Sequence, residues 1–171
     1  MKPLAPDEKS ALVMIYTHDM LIRGEIVIKE NLRVNIWLRT QGVPNFIHLI
    51  APQVVLFGGT PPKSFSYSDM FVPAGQVTGF HLAPPAQEPL DYEEDEANRM
   101  MQPLDIMLGT FLVRAKMRIS THMDLETHLD VSRGAWMSIY EAEITNPYLP
   151  QFNVQVPMLL VNPNQANFGI A

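Results

Sequence analysis

The sequence predicts a mostly β protein built from two tandem small β-barrel units joined by a short acidic, proline-containing linker. Three observations predict it: apolar and polar residues alternate with a period of two in several segments, landmarks of the first half recur in order in the second, and a stretch of prolines and acids separates the halves. The expected boundaries are residues 1–82 for the first unit, 83–103 for the linker and 104–171 for the second unit with a C-terminal tail.

A chain of 171 residues holds two units of about 80 residues, the low end of ordinary domain size. Hydrophobic residues make up 47% and charged residues 18%, enough apolar material for a sizeable core and too little charge for general disorder. The absence of cysteine excludes disulfides, thiolate metal sites, cysteine nucleophiles and thiol redox chemistry together. It suits a reducing compartment. The apolar run 11–16 is too short for a signal-peptide core or a membrane span, so the expected location is the cytoplasm, with no membrane partner. Twelve basic against eighteen acidic residues give a net charge of -6, which repels a phosphate backbone unless the basic residues gather on one face.

In chain order, residues 11–17 and 20–28 are rich in Val, Ile, Leu and Tyr and flank His18-Asp19, which reads as a β-hairpin with a tight turn. Ile22, Gly24, Ile26 and Ile28 fall on one face of the second strand. Residues 31–40 fit a strand or a short helix equally, because Leu32, Val34, Ile36 and Leu38 alternate while Leu32, Ile36 and Thr40 are a helical turn apart. Residues 46–57 form a further strand, bent or bulged at Pro52, which cannot donate to a ladder, and Gly58 to Pro62 ends it. Residues 65–72 read as one strand; Pro73-Ala74-Gly75 turns the chain and Val77 opens a closing strand to Leu82. Prolines 84 and 85 and five acids between Asp91 and Glu96 make an extended spacer, with a short acidic helix over 92–101 as an option.

The repeat rests on three alignments. Gly24 to Val34 matches Gly109 to Ile119 without gaps at an offset of 85, Phe46 to Ile50 matches Trp136 to Tyr140 at 90, and Val72-Pro73 with Val77 matches Val156-Pro157 with Val161 at 84. Each Val-Pro is expected to end a strand and enter a turn with its valine buried, since proline holds φ near -65° and keeps its predecessor extended.

A strand ending in Val72-Pro73 and a short closing strand from Val77 resemble the ending of Sm-like and Src-homology-3-like small barrels. The opening, a hairpin running into Arg33 and then residues 46–50, is similar to an uncharacterised bacterial family known only as a domain of unknown function. The resemblance spans most of 11–82 and, more loosely, 104–161, and it implies the fold alone. Sm-like proteins bind RNA as rings through polar and basic loop residues that have no match here.

The densest polar row is His122, Asp124, Glu126, His128 and Asp130. On a strand these side chains share one face and His122, Asp124, Glu126 and His128 become candidate metal ligands. On a helix His122 and Glu126 share one face and Asp124 and His128 another. The competing reading is a solvated face opposite buried Ile119, Met123, Leu125 and Leu129. Gly58-Gly59 lacks a phosphate-loop continuation, and serines 64, 66 and 68 stand in no nucleophile elbow. No cofactor is implied. Eleven methionines and Trp37 and Trp136 read as core material that can also anchor an interface.

With no catalytic constellation and a duplicated unit, the expected role is a non-enzymatic interaction or assembly module that binds a protein partner or another copy of itself. The alternatives are a metal-binding protein or metal-dependent enzyme using the His122 to His128 row, and an Sm-like RNA binder using Arg33, Arg39, Arg114, Lys116, Arg118 and Arg133.

Overall fold

The computed structural model describes residues 3–170. Among the described residues eleven strands form one antiparallel sheet: β1 (Glu8–Tyr16), β2 (Met20–Lys29), β3 (Phe46–Leu56), β4 (Lys63–Ser66), β5 (Asp69–Pro73), β6 (Gly79–Leu82), β7 (Arg99–Leu108), β8 (Phe111–Ser120), β9 (Met137–Thr145), β10 (Asn153–Val161) and β11 (Asn167–Gly169). The spatial order is β11-β7-β8-β9-β10-β6-β1-β2-β3-β4, and β5 also pairs with β3, end to end with β4. Among the described residues no helix is long and apolar enough to cross a membrane.

The first hairpin closes as the alternation requires, with Tyr16 opposite Leu21 and His18-Asp19 as the turn. Residues 31–40 contain the 3-10 helix Val34–Arg39, which buries Val34, Trp37 and Leu38 in the core of the first half. The strand expected at 65–72 is two strands, because β3 bulges where Ala51 takes a φ of 47° and buried Pro52 offers no N–H. Val77 caps the short helix Ala74–Gln76, and the closing strand begins at Gly79. The linker is shorter than expected: β7 starts at Arg99, so residues 99–103 are strand and no helix forms over 92–101.

The two halves share one strand order, β6-β1-β2-β3-β5 in the first and β11-β7-β8-β9-β10 in the second. The pairings correct the alignment. Ile15 opposite Ile22 is matched by Ile106 opposite Val113, an offset of 91 for both strands. Both halves carry a bulge on the third strand, at the left-handed residues Ala51 of β3 and Glu141 of β9, facing Gly24 between Arg23 and Glu25 and Ala115 between Arg114 and Lys116 on the second strand. Gly24 is therefore the counterpart of Ala115, and Gly109 belongs with His18 in the hairpin turns; the gap-free offset of 85 does not hold. The offset of 90 over residues 46–50 agrees with the pairing of Ile47 with Val72 and of Met137 with Val161. Those pairings make Val161 the counterpart of Val72. Val156 and Val72 are both buried, but Pro157 stands inside β10 rather than at a turn. It survives there because it lies opposite Glu141, where the bulge interrupts the ladder between the Val156–Ala142 and Met158–Tyr140 pairs.

The halves are not separate bodies on a string. β10 pairs with β6 through Leu160 with Phe80 and Val161 with Gly79, so one ladder runs through both. The core of the second half takes in Met14, Tyr16, Leu21, Phe57 and Ala83, and that of the first takes in Tyr140, Met158 and Leu160. Phe111 shows why: its fully buried ring meets Tyr16 and Phe57 edge-on at centroid distances of 4.9 and 5.2 Å. Burial against the neighbouring half supplies apolar area that a unit of about 80 residues lacks alone.

Candidate functional site

The segment between β6 and β7 is a strap laid across both halves. Glu88 accepts hydrogen bonds from the backbone N–H groups of Val34 and Asn35, both at 2.9 Å, and so caps the 3-10 helix that packs under Phe80. Arg33 donates to the Pro89 carbonyl. The Asp91 carboxylate, only 10% exposed, accepts from Arg39 Nη1, Ser138 Oγ and Tyr140 OH, each at 2.6 Å. Tyr92 packs edge-on against Tyr140 at 4.9 Å, and the Arg118 guanidinium lies 4.4 Å from the centre of the Tyr92 ring. Arg118, 11% exposed, also donates to Glu93 O at 2.9 Å and to Glu96 at 2.8 Å.

Residues 84–87, 89 and 93–98 are exposed, as a spacer of prolines and acids should be, but these contacts tie down the segment between them. Glu88, Leu90, Asp91 and Tyr92 are half-buried because first-half and second-half residues converge on them. Burial, with the Asp91 hydrogen bond and charge next in weight, pushes the Tyr140 phenol well above its ordinary range, so it remains a donor to Asp91. Hydrogen bonds from Arg118 and then Arg99 hold the Glu96 carboxyl below its usual value. Asp91→Asn replaces a carboxylate by an amide among three donors and should cost about 1–2 kcal/mol in urea unfolding. An unchanged midpoint would show that the strap does not clamp the halves.

Beside the strap lies an open cavity of about 360 Å³ whose wall includes Arg39, Arg99, Arg118, Arg133, His128, Trp136 and the strap acids Asp91 and Glu96. Trp136 is half-buried, whereas Trp37 is buried in the first-half core. Neither strand nor spacing announces this cavity. Its residues come from the 3-10 helix, the strap, three strands, a short helix, α1 (Leu125–Val131), and the loop after it.

The row His122 to Asp130 is not a strand. Asp124 is the N-cap of α1 and accepts from Thr127 N at 2.8 Å, a bond that lowers its carboxyl value. Glu126 and His128 lie within α1, and His122 stands in the turn before it. The chain turns helical here because Asp124 satisfies a free N–H of the first turn while Leu125 is buried. Among the described residues no three His, Asp or Glu side chains gather closely enough to hold a metal ion, so His122, Asp124, Glu126 and His128 are not brought together as a ligand set.

The six basic residues also divide. Arg39, Arg118 and Arg133 reach the cavity, while Arg33 serves the strap, Arg114 pairs with Asp105 at 3.9 Å and Lys116 with Glu141 at 2.5 Å.

A second feature lies at the end of the sheet. β4 and β5 pair only with β3, so residues 63–73 present an edge that no described strand covers. Serines 64, 66 and 68 are exposed along it, together with Phe65, Tyr67 and Phe71, the last 61% exposed. On the neighbouring strand Phe46 is 56% exposed, and His48 stacks on Phe71 at 4.6 Å and meets Asp69 at 2.8 Å. This hydrogen bond lowers the Asp69 carboxyl value.

No family model, curated protein or solved structure matches the chain.

Proposed function

We propose that this protein is a non-enzymatic interaction module that accepts an extended segment of a protein partner along the edge formed by residues 63–73. The observation that carries the reading is the pairing of an open edge with exposed aromatic residues. Unpaired backbone groups can add a strand, and Phe65, Tyr67, Phe71 and Phe46 offer apolar anchors beside them. Natural sheets usually shorten, charge or cover such an edge; this one is split into two short strands and carries Lys63, Asp69 and a terminal Pro73, but no described segment covers it. In the same reading the halves are tandem small-barrel units of the Sm-like or Src-homology-3-like kind. The recurring five-strand order supports this, as does the 3-10 turn before the last strand of each half, Ala74–Gln76 and Pro163–Gln165.

The test is amide hydrogen exchange on the chain alone and with a captured partner, together with the intact mass of the complex. Protection confined to residues 63–73, lost in a Tyr67→Lys/Phe71→Lys chain that melts as the parent does, is the expected result. Protection elsewhere, or a partner retained by the double variant, would overturn the proposal. A homodimer protected along the edge would replace the foreign partner by a second copy.

A further inference from the structure

The cavity beside the strap carries charge opposite to that of the whole chain. Four guanidinium groups and two carboxylates on its wall leave a surplus of two positive charges in a protein of net charge -6. Both carboxylates are already engaged: Asp91 holds Arg39, Ser138 and Tyr140, and Glu96 holds Arg99 and Arg118. Donors remain. Arg99 uses only its Nε toward Glu96, and among the described residues Arg133 makes no ion pair or side-chain hydrogen bond. Neither the His128 ring nor the Trp136 indole N–H has a protein partner there either. The volume of about 360 Å³ lies within the range of small-ligand sites, roughly 300–1,000 Å³.

We propose that this cavity binds a phosphate monoester carried on a planar ring, with Arg133, Arg99 and His128 around the phosphate and Trp136 against the ring. A monoester near neutral pH carries about two negative charges, which matches the surplus, and guanidinium forks pair with its oxygens in two-pronged contacts. Trp136, half-buried against the first-half core, also lines this cavity and is the one large aromatic side chain there besides Tyr140. Arg118 and Arg39, anchored to the strap by Glu96 and Asp91, set the positive field without being free to move. The bound strap is thus part of the site: it pairs with three of the four cations, Arg39, Arg118 and the Nε of Arg99, and leaves the Arg99 Nη groups and Arg133 for a ligand.

The experiment titrates the full chain with phenyl phosphate, adenosine 5′-monophosphate, inorganic phosphate and benzoate and follows tryptophan emission, to which Trp136 contributes from the cavity wall. The two ring-bearing monoesters should quench the emission and bind at least about tenfold more tightly than inorganic phosphate or benzoate, with affinity falling as salt rises. Arg133→Gln should weaken the monoesters about tenfold without moving the melting temperature, because that side chain holds no partner in the fold. Trp136→Leu, followed by calorimetry, should remove the advantage of the ring and leave inorganic phosphate binding as before. No binding of either monoester at millimolar concentration would overturn the proposal. So would benzoate matching phenyl phosphate, or Arg133→Gln binding like the parent. The Tyr67→Lys/Phe71→Lys chain should bind the monoesters normally, so this site and the edge stand or fall separately.

Discussion

Replacing Gly109 with alanine should lower the unfolding free energy by roughly 3–5 kcal/mol, more than any surface substitution in this chain. Two penalties combine. Gly109 sits at a φ of 57° in the two-residue turn between β7 and β8, a left-handed conformation that costs an alanine about 1–2 kcal/mol. Its added Cβ would also press on the His18 carbonyl and come within 2.8 Å of the His18 Cα and carbonyl carbon. Those are backbone atoms of the corresponding turn in the other half, so no side chain can rotate away, and relief requires the halves to separate. Gly42 provides the control. It has a φ of 87° with nothing within 4 Å of a built Cβ, so Gly42→Ala pays the conformational cost alone, about 1 kcal/mol. Urea unfolding of the two variants separates the terms. Equal losses would show that the hairpins do not bear on each other.

The second large effect is a pH dependence set by His81. Its Nδ1 lies 2.8 Å from the Leu82 carbonyl, which can only accept, so Nδ1 carries the proton and Nε2 accepts from the Tyr16 hydroxyl at 2.9 Å. Both side chains are buried beneath β1 and β6, and burial pushes the His81 imidazole down to about 4 and the Tyr16 phenol upward. The unfolded chain, with an ordinary histidine near 6.5, binds the proton first as pH falls. The stabilisation by neutral His81 is therefore complete above pH 6.5 and is lost as pH falls toward and through 4. The loss should reach roughly 3 kcal/mol at pH 4. A His81→Phe chain lacks this group, so the stability difference between parent and variant should narrow by that amount from pH 7 to pH 4. Carboxylates common to both chains cancel in the difference. Parallel curves would show that His81 does not titrate with folding.

The legible part of the fold is the part governed by near neighbours. The hairpin over residues 11–28, the break after Leu56 and the extended character of 46–50 and 137–140 follow from period-two alternation and from turn residues. Burial of Val72 and Val156 also follows, since each is an apolar residue on a half-buried strand. The alignment at an offset of 85 failed because glycine has two uses that a sequence does not distinguish. Gly24 lets β2 approach Pro52 at a bulge, and Gly109 makes a left-handed turn. Pro157 shows a similar ambiguity: a proline can end a strand or stand opposite a bulge, and the bulge is created by another strand.

The candidate sites were least legible because their residues are distant in sequence. Asp91 joins Arg39 and Ser138, which are 52 and 47 positions away, and the aromatic residues at the edge look like ordinary strand residues until the neighbour that would cover them proves absent among the described strands. The polar row at 122–130 was conspicuous and became a capped helix, since one Asp–Thr backbone bond and one buried leucine outweigh a spacing pattern. Composition and alternation thus decide that this chain is β-rich and cysteine-free, because those properties depend on each residue and its immediate neighbours. Which strands meet between the halves, where the acidic strap lies and which cations remain free were decided only in the folded chain. There, long-range burial and charge pairing select one partner for each group among many that the sequence allows.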